Sequence, residues 1–282
     1  MADLGEAIEA RIAGWGADHV TVAVRHGDDP PLVVGDVDRV YDLASVSKLF
    51  TAMAVLVAVE EGALALEHPA GPEGATVEHL LAHASGLAFD RPRVVAPPGT
   101  RRIYSNAGFE ALGDAVATAT GIDAATYLAE AVVDGLGLDA TRPGPSPAHG
   151  WAATAGDVLR LVDQVRRPTL LAPATTARAV TVAFPGLAGV LPGIGRQDPL
   201  DWGLGFEIRA AKRPHWTGST NSPRTVGHFG ASGTFAWADP DADVSCVGLT
   251  DRPFGGWALQ SWPELADVVV QGTLDPADPD PG

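Results

Sequence analysis

The spacing of apolar residues predicts a strand-rich region near the amino terminus. Residues 3–14 repeat alanine, isoleucine and leucine at helical spacing, and residues 19–27 then alternate as a half-buried strand does. After the turn "DDPP", the segments "LVVGD" and "RVYDL" are two further short strand candidates. A long apolar helix is predicted from about Ser45 to Glu61, because Gly62 suits the C-cap that ends a helix.

The pattern changes twice after Gly62. From residue 63 to about 170, short helical segments alternate with Gly and Pro, which indicates a helical lobe. Beyond Pro192 the pattern turns to β, and three strand candidates follow: "WGLGFEIRA", "TVGHFGASGTFAWADP" and "VSCVGLTDRP". An apolar helix is predicted over 261–272, and the Asp- and Pro-rich tail 275–282 is predicted to be disordered.

Strand candidates at both ends of the chain, with helices between them, predict one sheet built from the two ends. The expected fold is α/β in the α+β sense, with helices flanking the sheet and an all-helical lobe inserted. We expect a sheet domain from residues 1–62 plus 192–274 and a mainly helical lobe from 63–191.

Composition and charge exclude several classes of protein. Of the 282 residues 46% are hydrophobic, which is typical of a globular chain, and 35 acidic against 19 basic residues give a net charge of -16. Such a field repels phosphate, so neither nucleic acid nor an anionic membrane is an expected partner. No export signal or membrane span is recognisable, and a cytoplasmic location is expected. Cys246 is the only cysteine, and a buried thiol is its simplest interpretation.

The predicted helix after residue 44 contains an unexpected lysine. Only Lys48 and Lys212 among the 19 basic residues are lysines, so Lys48 needs a specific reason. Ser45 lies three positions earlier, and on a helix the two side chains share a face. The first helical turn also leaves the Ser45 N–H free to stabilise an oxyanion. Burial lowers a lysine pKa, so a neutral Lys48 amine could take the serine proton, which arginine could not.

Two other segments carry candidate chemistry. In "YSN", Tyr104 and Asn106 share a side if the segment is extended, and a phenol whose pKa is lowered by Lys48 could transfer protons. By itself this segment is more simply interpreted as a helix N-cap at Ser105 or Asn106. In "GHFGASGTF", the glycines suit a strand against which a ligand lies closely, and His228 would line that pocket.

Together these motifs resemble the penicillin-recognising serine hydrolases, in particular the branch of class C β-lactamases and serine esterases. The pattern is Ser-x-x-Lys, then Tyr-x-Asn, then Lys or His-x-Gly, and related sets are known in class A enzymes. The segments "TVEHLLAHASGL", "PPGTRRIYSNAGFEALGDAVATATG", "WAATAGDVLRLVDQV" and "WGLGFEI" are also similar, so the resemblance covers most of residues 40–252. It implies an antiparallel sheet of the β-lactamase/transpeptidase type.

The resemblance also implies roles for individual residues. Ser45 would be the nucleophile, Lys48 its proton acceptor or electrostatic partner, and Tyr104 a general base that later protonates the leaving group. Asn106 would hold the substrate carbonyl. The third motif supplies His228, Gly230 and Ala231, and the N–H groups of Ser45 and Ala231 would form the oxyanion hole. Whether Lys48 or Tyr104 deprotonates Ser45 stays open.

The third motif departs from its β-lactamase form, which has lysine followed by threonine or serine to contact a carboxylate. Here His228 is expected to be uncharged and Phe229 has no hydroxyl. We therefore expect a serine hydrolase that acts through an acyl-enzyme on an ester or small amide with a neutral or apolar acyl group. The alternatives are a β-lactamase, a D-amino-acid peptidase or carboxypeptidase, and a binding protein with little turnover. The sequence does not indicate an oligomeric state.

Two further features have competing interpretations. His79 and His83 have an i, i+4 metal spacing, on which a metal-dependent hydrolase would depend, but neither a glutamate between them nor a third ligand is apparent. We expect neither metal nor other cofactor. Trp151, Trp202 and Trp237 lie near the motifs, where they either wall a pocket or, more simply, pack in the core.

Overall fold

A computed structural model describes residues 2–273. Its main element is a six-stranded sheet in which every neighbouring pair is antiparallel, in the order β2-β1-β10-β9-β8-β7. Its strands are β1 (Val20–His26), β2 (Leu32–Val34), β7 (Glu207–Ile208), β8 (Val226–Gly230), β9 (Thr234–Asp239) and β10 (Val244–Thr250). Strands from the two ends of the chain thus share one sheet, which confirms the predicted fold class.

Two small sheets, eight α-helices, a π-helical segment over Ala129–Asp134 and two 3-10 turns complete the described chain. The small sheets pair β3 (Tyr41–Asp42) with β4 (Ala152–Ala153), and β5 (Gly189–Leu191) with β6 (Gly195–Gln197). The helices are α1 (Ala2–Ile12), α2 (Ser47–Glu60), α3 (Val77–Leu81), α4 (Asn106–Thr120), α5 (Ala124–Leu128), α6 (Ala155–Val162), α7 (Pro173–Ala179) and α8 (Gly256–Thr273).

The sheet is buried on both faces. Along β1, Val22 and Val24 enter a core with α1 and α8, whereas Ala23 between them enters a second core with α2 and α6. Successive side chains of a strand point to opposite faces of the sheet, and both faces are buried here, so β1 has apolar residues at consecutive positions. Helix α2 is buried along nearly its whole length, so almost any polar side chain on it must find a protein partner.

Several predicted elements need correction. The helix predicted from Ser45 begins as a 3-10 turn over Ala44–Val46, and α2 starts at Ser47. The pattern of "TVGHFGASGTFAWADP" predicts one strand, but the segment forms β8 and β9, because the chain reverses around Gly233 with a φ of +87° that glycine adopts without strain. The "RVYDL" strand pairs with β4 outside the main sheet, and α8 begins five residues before position 261.

The two-part domain division stays a prediction. Helix α6 belongs to the segment predicted as the inserted lobe, yet it packs against β1, β9 and β10. Cys246 lies fully buried in β10, as predicted. The tail 275–282 lies outside the described residues. Within residues 2–273, no helix combines the length and the apolar character that crossing a membrane requires.

Candidate active site

Ser45 lies in a 3-10 turn held by contacts from two sides. The preceding residue, Ala44, has a left-handed φ of +44°, and its N–H donates to the Asp42 carboxylate at 3.0 Å. The Ser47 hydroxyl donates to the Ala44 carbonyl at 2.6 Å. Left-handed backbone is uncommon for alanine, so these hydrogen bonds hold the turn in a conformation that it would not adopt alone. The Ser45 side chain, only partly buried, lines a cavity.

Lys48 is fully buried and its amine reaches three partners. The Nζ atom lies 3.4 Å from Ser45 Oγ, 2.6 Å from Asn106 Oδ1 and 2.8 Å from the Ala148 carbonyl oxygen. Burial lowers the pKa of Lys48 to about 7, although the carboxylates of Asp90 and Glu110 act in the opposite direction. The amine is therefore neutral in a large fraction of molecules at neutral pH.

Tyr104 lies over the same amine. Its ring centroid is 4.9 Å from Lys48 Nζ, and its buried hydroxyl makes no hydrogen bond of ordinary geometry to the described residues. Burial raises the pKa of Tyr104 above its usual value, and the neighbouring Ser45 hydroxyl offsets only part of that effect. The expectation that Lys48 lowers this pKa is wrong, because desolvation of the phenolate dominates.

Asn106 bonds both the buried Lys48 amine and Asp90, which lies nearer the surface. It is the first residue of α4, whose N-cap is Ser105: the Ser105 hydroxyl accepts the Gly108 N–H at 2.9 Å. The capping interpretation and the site interpretation of "YSN" therefore hold together. While its Oδ1 accepts from Lys48, its Nδ2 donates to Asp90 at 2.6 Å. Both ends of the amide thus have a protein partner, and one N–H and one lone pair stay available for a ligand.

The end of β8 approaches the Ser45 turn closely. A Cβ on Gly230 would collide with the Leu43 carbonyl oxygen, so only glycine permits this approach. Ala231 follows at the turn and lines the same cavity as Ser45. Among the described residues, no hydrogen bond uses the N–H of Ser45 or of Ala231. Both groups are thus free for a ligand.

His228 is held as a neutral imidazole. Its Nδ1–H donates to the Phe229 carbonyl at 2.7 Å, which leaves Nε2 as a hydrogen-bond acceptor. Burial, helped by the charge of Lys48, lowers the pKa of His228 to about 3. The side chain therefore cannot supply the positive charge that a lysine at this position would.

The cavity beside Ser45 has a volume of about 180 Å³ and is mainly apolar. Its walls include Phe89, Leu191, Trp202, Phe229 and Phe254. Of the three tryptophans near the motifs, Trp202 thus walls the pocket, whereas Trp151 and Trp237 pack in the core, which is the simpler interpretation for those two. A wider groove of about 780 Å³ lies on the other side of Asn106 and is lined by Asp90, Glu110 and Asp114 among others.

Sequence reasoning missed a buried ionic cluster behind the cavity. Glu207, which contributes to the cavity wall, bonds Lys212 through Oε1, and its Oε2 accepts from His215 Nε2 at 2.8 Å and from Trp216 Nε1 at 3.1 Å. Burial alone would raise the pKa of Glu207, but His215 and Lys212 outweigh it and hold the value at about 2. The scarcity of lysine was a signal for this cluster too, since both lysines are buried in polar networks.

His79 and His83 do not form a pair in the structure. The His79 ring stacks on Phe184 at 4.2 Å between centroids, whereas the His83 ring faces Tyr104 at 4.6 Å. Within residues 2–273, no three His, Cys, Asp or Glu side chains are grouped so that they could hold a metal ion.

Fold and site together define an α+β protein of the β-lactamase/transpeptidase type. A family model described as Beta-lactamase matches residues 19–271, and the chain belongs to this family of serine hydrolases. A solved β-lactamase structure from Mycobacterium bovis is 48% identical, covers 94% of this chain and 99% of its own, and superposes with a TM-score of 0.92. No curated protein matches the chain.

More distant solved structures share the fold alone. EstCE1, described as a hydrolase with promiscuous acyltransferase activity, is 19% identical, with 95% of this chain and 98% of that chain covered at a TM-score of 0.77. A simvastatin synthase mutant from Aspergillus terreus is 17% identical, with coverages of 96% and 98% and the same TM-score.

Proposed function

We propose that the protein is a serine hydrolase that cleaves uncharged esters or small amides through an acyl-enzyme on Ser45. The proposal depends on one observation: the Lys48 amine is buried, has a pKa lowered to about 7, and lies 3.4 Å from the Ser45 hydroxyl. A base with a pKa near the working pH is well suited to take a proton from a weak nucleophile.

The hydrogen bonds of Lys48 support its assignment as the base. A neutral amine has two N–H bonds and one lone pair, and the two shorter contacts, to Asn106 and Ala148, use the two N–H bonds. The lone pair then faces Ser45. Tyr104, whose raised pKa keeps it protonated at neutral pH, is assigned as a hydrogen-bond donor rather than as the base.

The reaction proceeds in two displacements. As Lys48 takes its proton, Ser45 Oγ attacks the carbonyl carbon, and the developing oxyanion accepts from the N–H groups of Ser45 and Ala231. Collapse breaks the bond to the leaving alkoxide or amine, which is protonated from Lys48 by way of Tyr104. Water then attacks the carbonyl carbon of the acyl-enzyme as Lys48 takes its proton. Collapse breaks the bond to Ser45 Oγ, which receives that proton from Lys48, and the acid is released.

The substrate class follows from the wall of the cavity. His228 stays neutral and Phe229 has no hydroxyl, so neither group balances a substrate carboxylate. The remaining lining is largely aromatic and aliphatic, and the volume of about 180 Å³ suits a short acyl group. An uncharged, apolar acyl group is therefore preferred.

One comparison favours a second candidate, hydrolysis of β-lactams. The Mycobacterium bovis structure, 48% identical to this chain, is described as that of a β-lactamase. A chromogenic cephalosporin assayed against p-nitrophenyl butyrate separates the two activities. We expect the larger kcat/KM for the ester, and a larger value for the cephalosporin would reverse the order of the two candidates.

Covalent labelling tests the nucleophile directly. A fluorophosphonate probe should modify Ser45, as mapped by mass spectrometry of the labelled peptide, and Ser45→Ala should abolish the label. Ser219→Ala is the matched control, because Ser219 is an exposed serine whose hydroxyl donates to Asp267 at 3.0 Å and which does not line the cavity beside Ser45. Labelling that survives in Ser45→Ala refutes the assignment. A folded protein that is inert to the probe and to an ester and amide panel indicates a binding protein of the same fold.

A further inference from the structure

His83 is a buried side chain that the reaction above does not use. It follows α3 with only 1% of its surface exposed, and its backbone has a left-handed φ of +54°. Left-handed backbone is uncommon outside glycine, although Asn, Asp and His adopt it more readily than other side chains. A histidine held in this conformation under the candidate site needs a reason beyond core packing.

Two hydrogen bonds connect His83 to the residues on either side of Tyr104. The Ile103 N–H donates to the His83 carbonyl oxygen at 2.8 Å, and the Ser105 N–H donates to His83 Nδ1 at 3.1 Å. Both residues next to Tyr104 in the chain are therefore hydrogen-bonded to His83.

The ring of His83 also supports the phenol. Its centroid lies 4.6 Å from that of Tyr104, and it packs against Phe109 and Trp202 on other sides. Because His83 bonds the residues on both sides of Tyr104 and contacts its ring, a displacement of His83 would move the Tyr104 hydroxyl relative to Ser45 and Lys48.

The protonation of His83 is determined by the same contacts. Since Nδ1 accepts a backbone N–H, the neutral ring carries its proton on Nε2, and an imidazolium would place two N–H groups against each other. Burial, followed by the charge of Lys48, lowers the pKa of His83 well below its ordinary value, in agreement with a neutral ring. The lone pair that a general base needs is thus already occupied.

We propose that His83 is a positioning residue that holds Tyr104 against Ser45 and Lys48, through the hydrogen bonds to residues 103 and 105 and through its ring. It acts on the reaction only through Tyr104. The catalytic consequence rests on the proposed hydrolase function, whereas the structural part, attachment of the Ser105 N–H to the ring, can be tested without any substrate.

Two variants separate the acceptor from the ring. His83→Asn places an amide oxygen near the position of Nδ1 and tolerates the left-handed backbone, but removes the ring. His83→Phe keeps an aromatic ring and removes the acceptor, which leaves the Ser105 N–H buried without a partner. His79→Asn is the matched control, since His79 is the neighbouring histidine of α3 and packs on Phe184 away from Tyr104.

Amide hydrogen exchange is the first measurement. In the unmodified protein the Ser105 amide should be protected, His83→Phe should accelerate its exchange by about tenfold or more, and His83→Asn should largely retain protection. The control should leave it unchanged. A Ser105 amide that exchanges freely in the unmodified protein, or equally slowly in all variants, overturns the proposal whether or not the protein hydrolyses esters.

Steady-state kinetics is the second measurement. His83→Phe should lower kcat by on the order of 10²-fold, since a displacement of about 1 Å can have that effect, while KM changes little. His83→Asn should recover most of the loss, and the pH midpoint of kcat/KM should stay where it is. Equal kcat values in both His83 variants, or a changed pH midpoint, overturn the positioning role. Absence of turnover in the unmodified protein instead contradicts the proposed function and leaves the exchange result to decide on His83.

Discussion

The lowered pKa of Lys48 predicts how the rate of acylation depends on pH. If the neutral amine takes the proton from Ser45, kcat/KM for an uncharged ester should increase as the pH rises through about 7, because the active form of Lys48 is the deprotonated one. The sign is opposite to that for a catalytic ammonium, whose activity would decrease over the same range.

The size of the effect follows from burial. At pH 7 a lysine with its ordinary pKa of 10.5 is neutral in roughly one molecule in 3,000, whereas with a pKa of about 7 about half of the molecules are neutral. Burial therefore raises the population of the active form by about 10³-fold. Below pH 7 the kcat/KM should fall tenfold for each pH unit, so that at pH 5 it is about 1% of its plateau value at high pH.

The assay is hydrolysis of p-nitrophenyl butyrate from pH 5 to pH 9, read at a wavelength where nitrophenol and nitrophenolate absorb equally. His228, with a pKa of about 3, does not titrate in this range. Lys48→Arg keeps a positive charge that cannot be lost, so it should reduce kcat/KM by about 10²–10⁴-fold and abolish the midpoint near 7.

Either of two results would refute this reasoning. A profile that is flat down to pH 5 would mean that the neutral amine is not required. A profile that still rises at pH 9, with no plateau above pH 8, would indicate Tyr104 as the titrating base, in agreement with its raised pKa. Retention of the midpoint in Lys48→Arg would assign it to another group.

Three further predictions concern stability, acyl length and the Ser45 turn. Between pH 7 and 10 Lys48 is protonated in the unfolded chain and neutral in the native one, so the native state gains stability as the pH rises. Over this range the free energy of unfolding, measured in urea, should increase by on the order of 4 kcal/mol more in the unmodified protein than in Lys48→Met. Equal pH dependence of the two proteins would contradict this. Phe254 forms one wall of the cavity and packs so closely on Gly193 that a Cβ there would collide with it. Phe254→Ala should therefore shift the preferred p-nitrophenyl ester to longer acyl chains, and an unchanged preference would show that Phe254 does not limit the acyl group. Gly230→Ala, which collides with the Leu43 carbonyl, should slow probe labelling of Ser45 by at least about tenfold without unfolding the protein, as seen by circular dichroism; normal labelling would show that the close approach is not needed.

The spacing of apolar residues was enough to predict individual strands and helices. Alternation identified β1, and a run of apolar residues ending at Gly62 identified α2. The same patterns failed where tertiary contacts decide. Nothing in "TVGHFGASGTFAWADP" separates two strands from one except glycines, because the reversal at Gly233 depends on pairing between β8 and β9.

In the candidate site, too, the sequence predicted some residues and tertiary contacts decided the others. The chemistry of Ser-x-x-Lys and Tyr-x-Asn, together with the family resemblance, identified the candidate residues. In the structure Ser45, Tyr104, His228 and Ala231 line one cavity, and Lys48 beside it reaches both Ser45 and Asn106. Glu207 was missed, since a single glutamate in a short strand has no pattern until Lys212 and His215 surround it.

The sequence by itself determined which groups are available: a lysine amine, a hydroxyl three residues before it, a phenol and a histidine. Only the tertiary structure decided their protonation, because a pKa depends on burial and on neighbours from distant segments. It lowered the pKa of Lys48, raised that of Tyr104 against expectation, and placed His83 beneath the phenol rather than in a metal pair. Desolvation is a property of the packed chain, and no spacing of residues expresses it.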